Sequence, residues 1–216
     1  MCGEQLQWQF YIAVAKDIIV AGASIVAAAV AIIGLKTWRK QLTATANAEV
    51  SRALLRAIYH IQEGVLVVRE SPIAGGEIAS AFKELQIDDA DVQQPDFAWK
   101  AGSAVYQVRF GKLAESVSEM RSAMIEAEVL WGREIEGLCD PLLKKVSQLR
   151  GAIRVHLRSL KDGRSSVKDK DLKKIDEVLF DMGDKDAPDQ FTREINDMVK
   201  AIEESLRKRL PFEKAN

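Results

Sequence analysis

Residues 18–35 read IIVAGASIVAAAVAIIGL, a run without one charged side chain. At about 1.5 Å of rise per residue, a helix over this run spans roughly 27 Å, close to the hydrocarbon thickness of a bilayer. Apolar runs that become core helices of soluble proteins are usually shorter, about 10–14 residues. Trp8, Phe10 and Tyr11 precede the run and Trp38 follows it, as amphipathic rings do at headgroup level. Extending the span back through Phe10–Ala15 would draw in Lys16 and Asp17, which would then have to snorkel or pair. The expectation is a transmembrane helix over 18–35, in contact with the lipid bilayer, after a short N-terminus 1–17.

Charge gives this helix a direction. A cleaved signal peptide needs a basic start, and Met1–Gln9 has no basic residue. The cations come after the run instead: Lys36, Arg39 and Lys40, then Arg52 and Arg56 against Glu49. Loops rich in Lys and Arg stay in the cytoplasm, so residues 36–216 are expected inside and the N-terminus outside, in a single pass. The residues expected to set topology and membrane register are Trp8, Tyr11, Lys36, Trp38, Arg39 and Lys40. Within the run, Ala23, Ala27 and Ala31 recur at four-residue spacing. Such small-residue stripes let two membrane helices approach closely, and they are also common in Ala-rich anchors that touch only lipid.

Beyond residue 36 the chain reads as helix. Leu35, Trp38, Leu42, Ala46, Val50, Leu54, Ile58, Ile61, Val65 and Val68 advance in steps of three and four, one helical face, until Ser71-Pro72 ends it near residue 70. Residues 72–98 hold six acidic side chains against Lys83 and read as a solvated connector, with a short helix over Glu77–Leu85. Asp96 is the expected N-cap of the next helix. A second stripe runs from Leu113 through Met120, Ala127, Ile135, Leu142 and Leu149 to Leu160, interrupted at Trp131-Gly132 and at Gly137–Pro141. Two matched arms, 97–131 and 133–162, joined by a tight hairpin somewhere in 131–141, fit better than one kinked helix, which is the alternative. A short helix is expected over Leu172–Met182. The last helix, 190–210, carries Phe191, Ile195, Met198, Ile202, Leu206 and Leu210 on one face. The expected fold is all-α: the transmembrane helix continues into a long cytoplasmic helix, packed in an antiparallel bundle of about four helices.

The stretch Gly34–Ile73, GLKTWRKQLTATANAEVSRALLRAIYHIQEGVLVVRESPI, resembles a group of uncharacterised bacterial single-pass membrane proteins. Those carry an apolar N-terminal segment, then Gly-Leu-x-Thr-Trp-Arg-x-Gln-Leu and Ala-Arg-x-Leu-Leu-Arg-Ala-x-Tyr. Here Thr37-Trp38-Arg39-Lys40-Gln41-Leu42 and Arg52-Ala53-Leu54-Leu55-Arg56-Ala57-Ile58-Tyr59 carry the likeness, as does Trp131-Gly132. The chain departs with Ser51 before Arg52 and with His60, Gln62 and Gly64. The resemblance implies a bacterial inner membrane and brings no activity with it.

The search for chemistry is short. Net charge is -1, with 31 basic and 32 acidic residues, so no global field draws nucleic acid, and none is expected as partner. The two cysteines, Cys2 and Cys139, lie on opposite sides of the anchor and cannot pair within one chain; Cys139 reads as a core residue. The two histidines, His60 and His156, belong to no metal-ligand motif. Glu115 and Glu119 share a face, and so do Arg52 and Arg56, as solvated positions do. Gly111-Lys112 lacks the rest of a phosphate loop. Arg150 and His156 stand at the spacing used by all-helical ribonucleases of the HEPN class, where arginine holds phosphate charge and histidine moves protons. The bland reading, a surface arginine and a satisfied histidine, carries more weight. The expectations are no enzyme, no cofactor and no metal. The chain then reads as a membrane-anchored interaction or scaffold module, partnered by a second copy (a homo-oligomer) or by a cytoplasmic protein. A membrane effector of a bacterial defence-type system and a HEPN-like ribonuclease are the alternatives.

Overall fold

The computed structural model describes residues 2–87, 96–162, 169–183 and 187–210, and the side chains among these except at 2–15, 18 and 169–171. Six helices and no β-strand lie within them: α1 Cys2–Arg69, α2 Gly75–Glu84, α3 Phe97–Trp131, α4 Glu134–Asp162, α5 Asp169–Leu179 and α6 Gln190–Arg207. The protein is all-α, as its composition and periodicity require. Two compact units divide it, residues 1–46 and 47–216. The bundle unit therefore begins at Asn47, later than the expected boundary at residue 36.

The first unit is one stretch of α1. It is long and apolar enough to cross a membrane: its most apolar window has a mean hydropathy of 2.2 and no buried residue. Helix α1 has no Pro, and the hydroxyls of Ser24, Thr43 and Thr45 turn back on their own turns. Ser24 Oγ donates to the Val20 carbonyl at 2.8 Å and Thr43 Oγ1 to the Arg39 carbonyl at 3.1 Å. That pattern leaves no polar group of these residues seeking a partner in lipid.

The second unit is an up-down-up-down bundle of the C-terminal part of α1 with α3, α4 and α6. The pairs that fix the directions are side-chain contacts. Gln62 meets Asn196 and Arg69 meets Thr192 between α1 and α6. Trp131 donates its indole N–H to Asn47 at 3.1 Å, while Arg109 reaches the Glu70 carbonyl just beyond α1, so α3 runs antiparallel to α1. Lys145 pairs with Glu194, and Arg209 with Glu134, between α4 and α6. Helices α3 and α4 form the hairpin expected in 131–141, and Gly132 makes it. Its φ of 78° lies where a Cβ is strained, and its N–H still caps the Glu128 carbonyl at 2.8 Å.

Pro141, expected to help break the chain, lies inside α4. A helical proline leaves the carbonyl four residues earlier without a donor. Here that carbonyl belongs to Gly137, and both residues are exposed, so water can take the place of the lost bond. The core is one continuous cluster. Leu54, Ile58, Ile61, Val65 and Val68 of α1 pack with Leu113 and Met120 of α3, Leu142 and Leu149 of α4, and Ile195, Ile202 and Leu206 of α6. Each such fully buried side chain contributes about 1.5–3 kcal/mol. A satellite cluster, Ala81 and Phe82 with Ala101, Ala104 and Val105, docks α2 on α3. Asp96 occupies the N-cap position of α3 but makes no capping bond; it pairs with Lys100 instead, at 3.6 Å.

Candidate functional site

The residues expected to set topology separate into two sets. Lys36, Trp38, Arg39 and Lys40 are all exposed on α1, with no ion pair from these cations among the described residues. Trp8 and Tyr11 lie within the helical backbone of α1, and their side chains fall outside the described ones. Ala23, Ala27 and Ala31 are exposed along the apolar span.

The arginine–histidine pair does not assemble. Six residues of helix turn His156 about 120° from Arg150. Arg150 is exposed, its guanidinium 5.6 Å from the Phe110 ring centre. His156 is half-buried between two aromatic edges, Tyr106 at 6.3 Å and Phe180 at 5.6 Å. Burial pushes the Tyr106 hydroxyl up to about 12, against the lowering effect of Arg109.

Among the described residues, the polar sites with the most hydrogen bonds are two buried arginines that the linear reading missed. Arg69, the last residue of α1, is wholly buried. Its guanidinium donates to the carbonyls of Glu177, Val178 and Phe180 at 2.8–3.0 Å, to Thr192 Oγ1 and to both oxygens of Asp189, the closer at 2.5 Å. Those carbonyls close the C-terminal end of α5, and Asp189 caps α6 by accepting the Thr192 N–H at 2.8 Å. Cation and anion thus each meet the helix end whose dipole they oppose. Arg109 is the second. It grips Glu77 in a bidentate pair at 2.5 and 2.7 Å and donates to the Glu70 carbonyl, tying both ends of the α1–α2 loop to α3.

The sequence carried a signal for both. Ile61, Val65 and Arg69, and likewise Ala101, Val105, Arg109 and Leu113, follow four-residue spacing on an apolar stripe. A charge on such a stripe must find a buried partner. The 72–98 connector reads as solvated surface, and Glu77, paired with Arg109, corrects that reading.

Burial alone would raise the Asp189 carboxyl. The hydrogen bonds and charge of Arg69, with the Thr192 and Met182 N–H groups, outweigh it and hold the group at about 2. The Arg109 hydrogen bonds, acting against burial, hold Glu77 below its ordinary value. Beside the Arg69 site, a groove of about 380 Å³ lies between α4, α5 and α6, lined by Lys145, Lys174, Glu177, Phe191 and Glu194 among others. Its charges are mixed in sign, and Lys145 is already paired with Glu194. No group of three or more metal-binding side chains is brought together among the described residues. The buried Cys139 thiol is pushed up to about 12 by burial, which makes it a core group rather than a nucleophile.

Comparison with known proteins gives no matching family model, no matching curated protein and no matching solved structure.

Proposed function

We propose that this chain is a non-enzymatic scaffold of the bacterial inner membrane. It is anchored by a single pass with its N-terminus outside, holds its helical bundle in the cytoplasm and self-associates or docks a protein partner there. The observation that carries the reading is the fate of the buried polar groups. Arg69 and Arg109, the two buried arginines among the described residues, spend their donors on the fold itself, and the anchor-bearing helix α1 supplies the first arm of that fold. A protein whose costly buried charges all serve rigidity suits presentation of surfaces better than turnover. The resemblance of Gly34–Ile73 to bacterial single-pass membrane proteins agrees with it. Sedimentation of the full chain in detergent, with affinity capture from its own membranes, is the test. A monomer that captures nothing would remove the proposal.

A second reading, a membrane effector, draws on one feature: helix α1 supplies residues to both units, the apolar span and the first arm of the bundle. It requires that overexpression depolarise cells carrying the native gene neighbours. Unchanged membrane potential there removes it.

A further inference from the structure

We infer that the outer face of α3 and α4 docks an acidic amphipathic helix of a protein partner; this rests on the scaffold reading and names its surface and the chemistry of its occupant. Between Asp140 and Asp162, α4 holds six cations and no anion. Lys144 and Lys145 are paired, with Asp140 and Glu194. Arg150, Arg154 and Arg158 are exposed and enter no ion pair among the described residues, and the same holds for Arg121 on α3. Steps of four residues set the three α4 arginines about 6 Å apart along one side of the helix, each turned about 40° from the last.

Arg121 and Arg150 border a cleft of about 260 Å³ between the two helices, with Ala114, Val117, Leu143 and Val146 in its lining. No carboxylate lines it. The groove beside Arg69 holds Glu177, Asp189 and Glu194, and the cleft beside His60 holds Glu119 and Glu126. A further cleft shares Arg121, but its Glu128 and Asp140 are already paired with Arg133 and Lys144. The bundle thus balances its other clefts from within and leaves this one to an anion from outside. Arg150 is held at the rim over the Phe110 ring, 5.6 Å from its centre.

The lining identifies the occupant. Arginine rather than lysine at all four positions suits a carboxylate or a phosphate, which the planar fork meets with two hydrogen bonds. Small-ligand sites run to about 300–1,000 Å³, so this cleft has room for one or two side chains instead. A helix with a Glu edge beside a Leu stripe brings carboxylates at the pitch of the arginines and an apolar side chain for the cleft. A phosphate chain brings the charge and leaves the apolar lining unmatched.

The test is fluorescence anisotropy of the full chain in phosphatidylcholine nanodiscs with a labelled synthetic helix that carries Leu along one stripe and Glu at every fourth position beside it. Binding is expected, weakening as salt rises. Arg150→Gln with Arg154→Gln and Arg158→Gln is expected to weaken it about tenfold or more. Ala114→Trp, which fills the cleft from its exposed edge, is expected to weaken it as well. Arg52→Gln with Arg56→Gln and Arg193→Gln removes the same charge from exposed positions elsewhere and is expected to change it less than about twofold. Both triple variants should keep the helix content and unfolding midpoint of the parent. No binding, or equal loss in the two triple variants, overturns the proposal. Tighter binding of single-stranded RNA or of phosphatidylglycerol vesicles than of the peptide shows a phosphate-binding face and overturns this occupant. If the Arg150 triple variant still captures a partner from its own membranes as well as the parent does, the scaffold reading stands and only this surface falls.

Discussion

Arg69 and Asp189 meet where three helix ends converge, and their ion pair at 2.5 Å joins the last residue of α1 to the N-cap of α6. Breaking it by Arg69→Met leaves three carbonyls and a carboxylate without their donor. Removing one partner of a buried pair typically costs about 3–5 kcal/mol. Denaturant unfolding of the detergent-solubilised chain is expected to show a loss of that order. Arg69→Lys should recover part of it, because an ammonium restores the charge but not the fork. A loss below about 1 kcal/mol in the methionine variant would show that the site is not the tie described.

The same pair fixes an acid limit. The Asp189 carboxyl lies at about 2 in the fold against an ordinary 3.8, so its contribution is fully present above the ordinary value and drains away as pH falls toward 2. Glu77, lowered by Arg109, acts in the same direction. Stability is expected to be flat near neutrality with respect to these two groups and to fall steeply below about pH 4. In Arg69→Met the Asp189 share of that fall disappears. An acid limb of unchanged steepness in the variant would assign the transition to other carboxylates.

Ser51 is buried with its hydroxyl unpartnered among the described residues. A buried unsatisfied polar atom costs about 1–3 kcal/mol, so Ser51→Ala is expected to stabilise the bundle by up to about 1 kcal/mol. A destabilised alanine variant would show that the hydroxyl is satisfied.

Gly132→Ala leaves the packing untouched, because nothing lies within 4 Å of the added Cβ, and strains the backbone instead at φ 78°. The expected cost is about 1–3 kcal/mol, centred on the α3–α4 hairpin. Hydrogen exchange should quicken near residues 128–136 before it does in the middle of α4.

Topology is open to direct labelling. Moving Lys36, Arg39 and Lys40 through the hydrocarbon core costs about 2.5–3.5 kcal/mol each, so the bundle is expected to stay inside. Cys139 is useless as a reporter of that side, being buried with a raised thiol pKa. In a Cys139→Ala background, an impermeant thiol reagent should label Cys2 on intact spheroplasts and Glu115→Cys only after lysis. Labelling of position 115 on intact cells would reverse the orientation, and recovery of the chain in the soluble fraction would remove the anchor.

Periodicity located α2 to α6 and the end of α1 to within a few residues because burial and spacing carry the same information. Helix α1 begins at Cys2 rather than at the expected residue 18, since residues 2–17 hold no proline and one glycine to stop a helix. Val50–Val68, Leu113–Met120 and Ile195–Leu206 are stripes in the sequence and seams in the fold. It failed where a residue's environment depends on another element. Glu77 lies in an acidic connector and is solvated by every local criterion; Arg109, 32 residues away, makes it the half-buried partner of a buried cation. Pro141 reads as a breaker, and only the exposure of Gly137 makes it tolerable. At the candidate site, exposed cations on α1 were legible as composition. The arginine–histidine spacing was legible too, but the helical turn between the two residues and the rings around each send them to different surroundings.

The tie between Arg69 and Asp189 closes a loop of 120 residues, and that sets an order of events during synthesis. The first arm of the bundle is made early and keeps an apolar stripe and a cation open until α6 has been made. A chain cut short before Asp189 holds Arg69 without its anion and Gln62 without Asn196. Closure of the bundle therefore waits on α6, and a chain without that helix leaves Ile58, Ile61 and Val65 short of part of their cover.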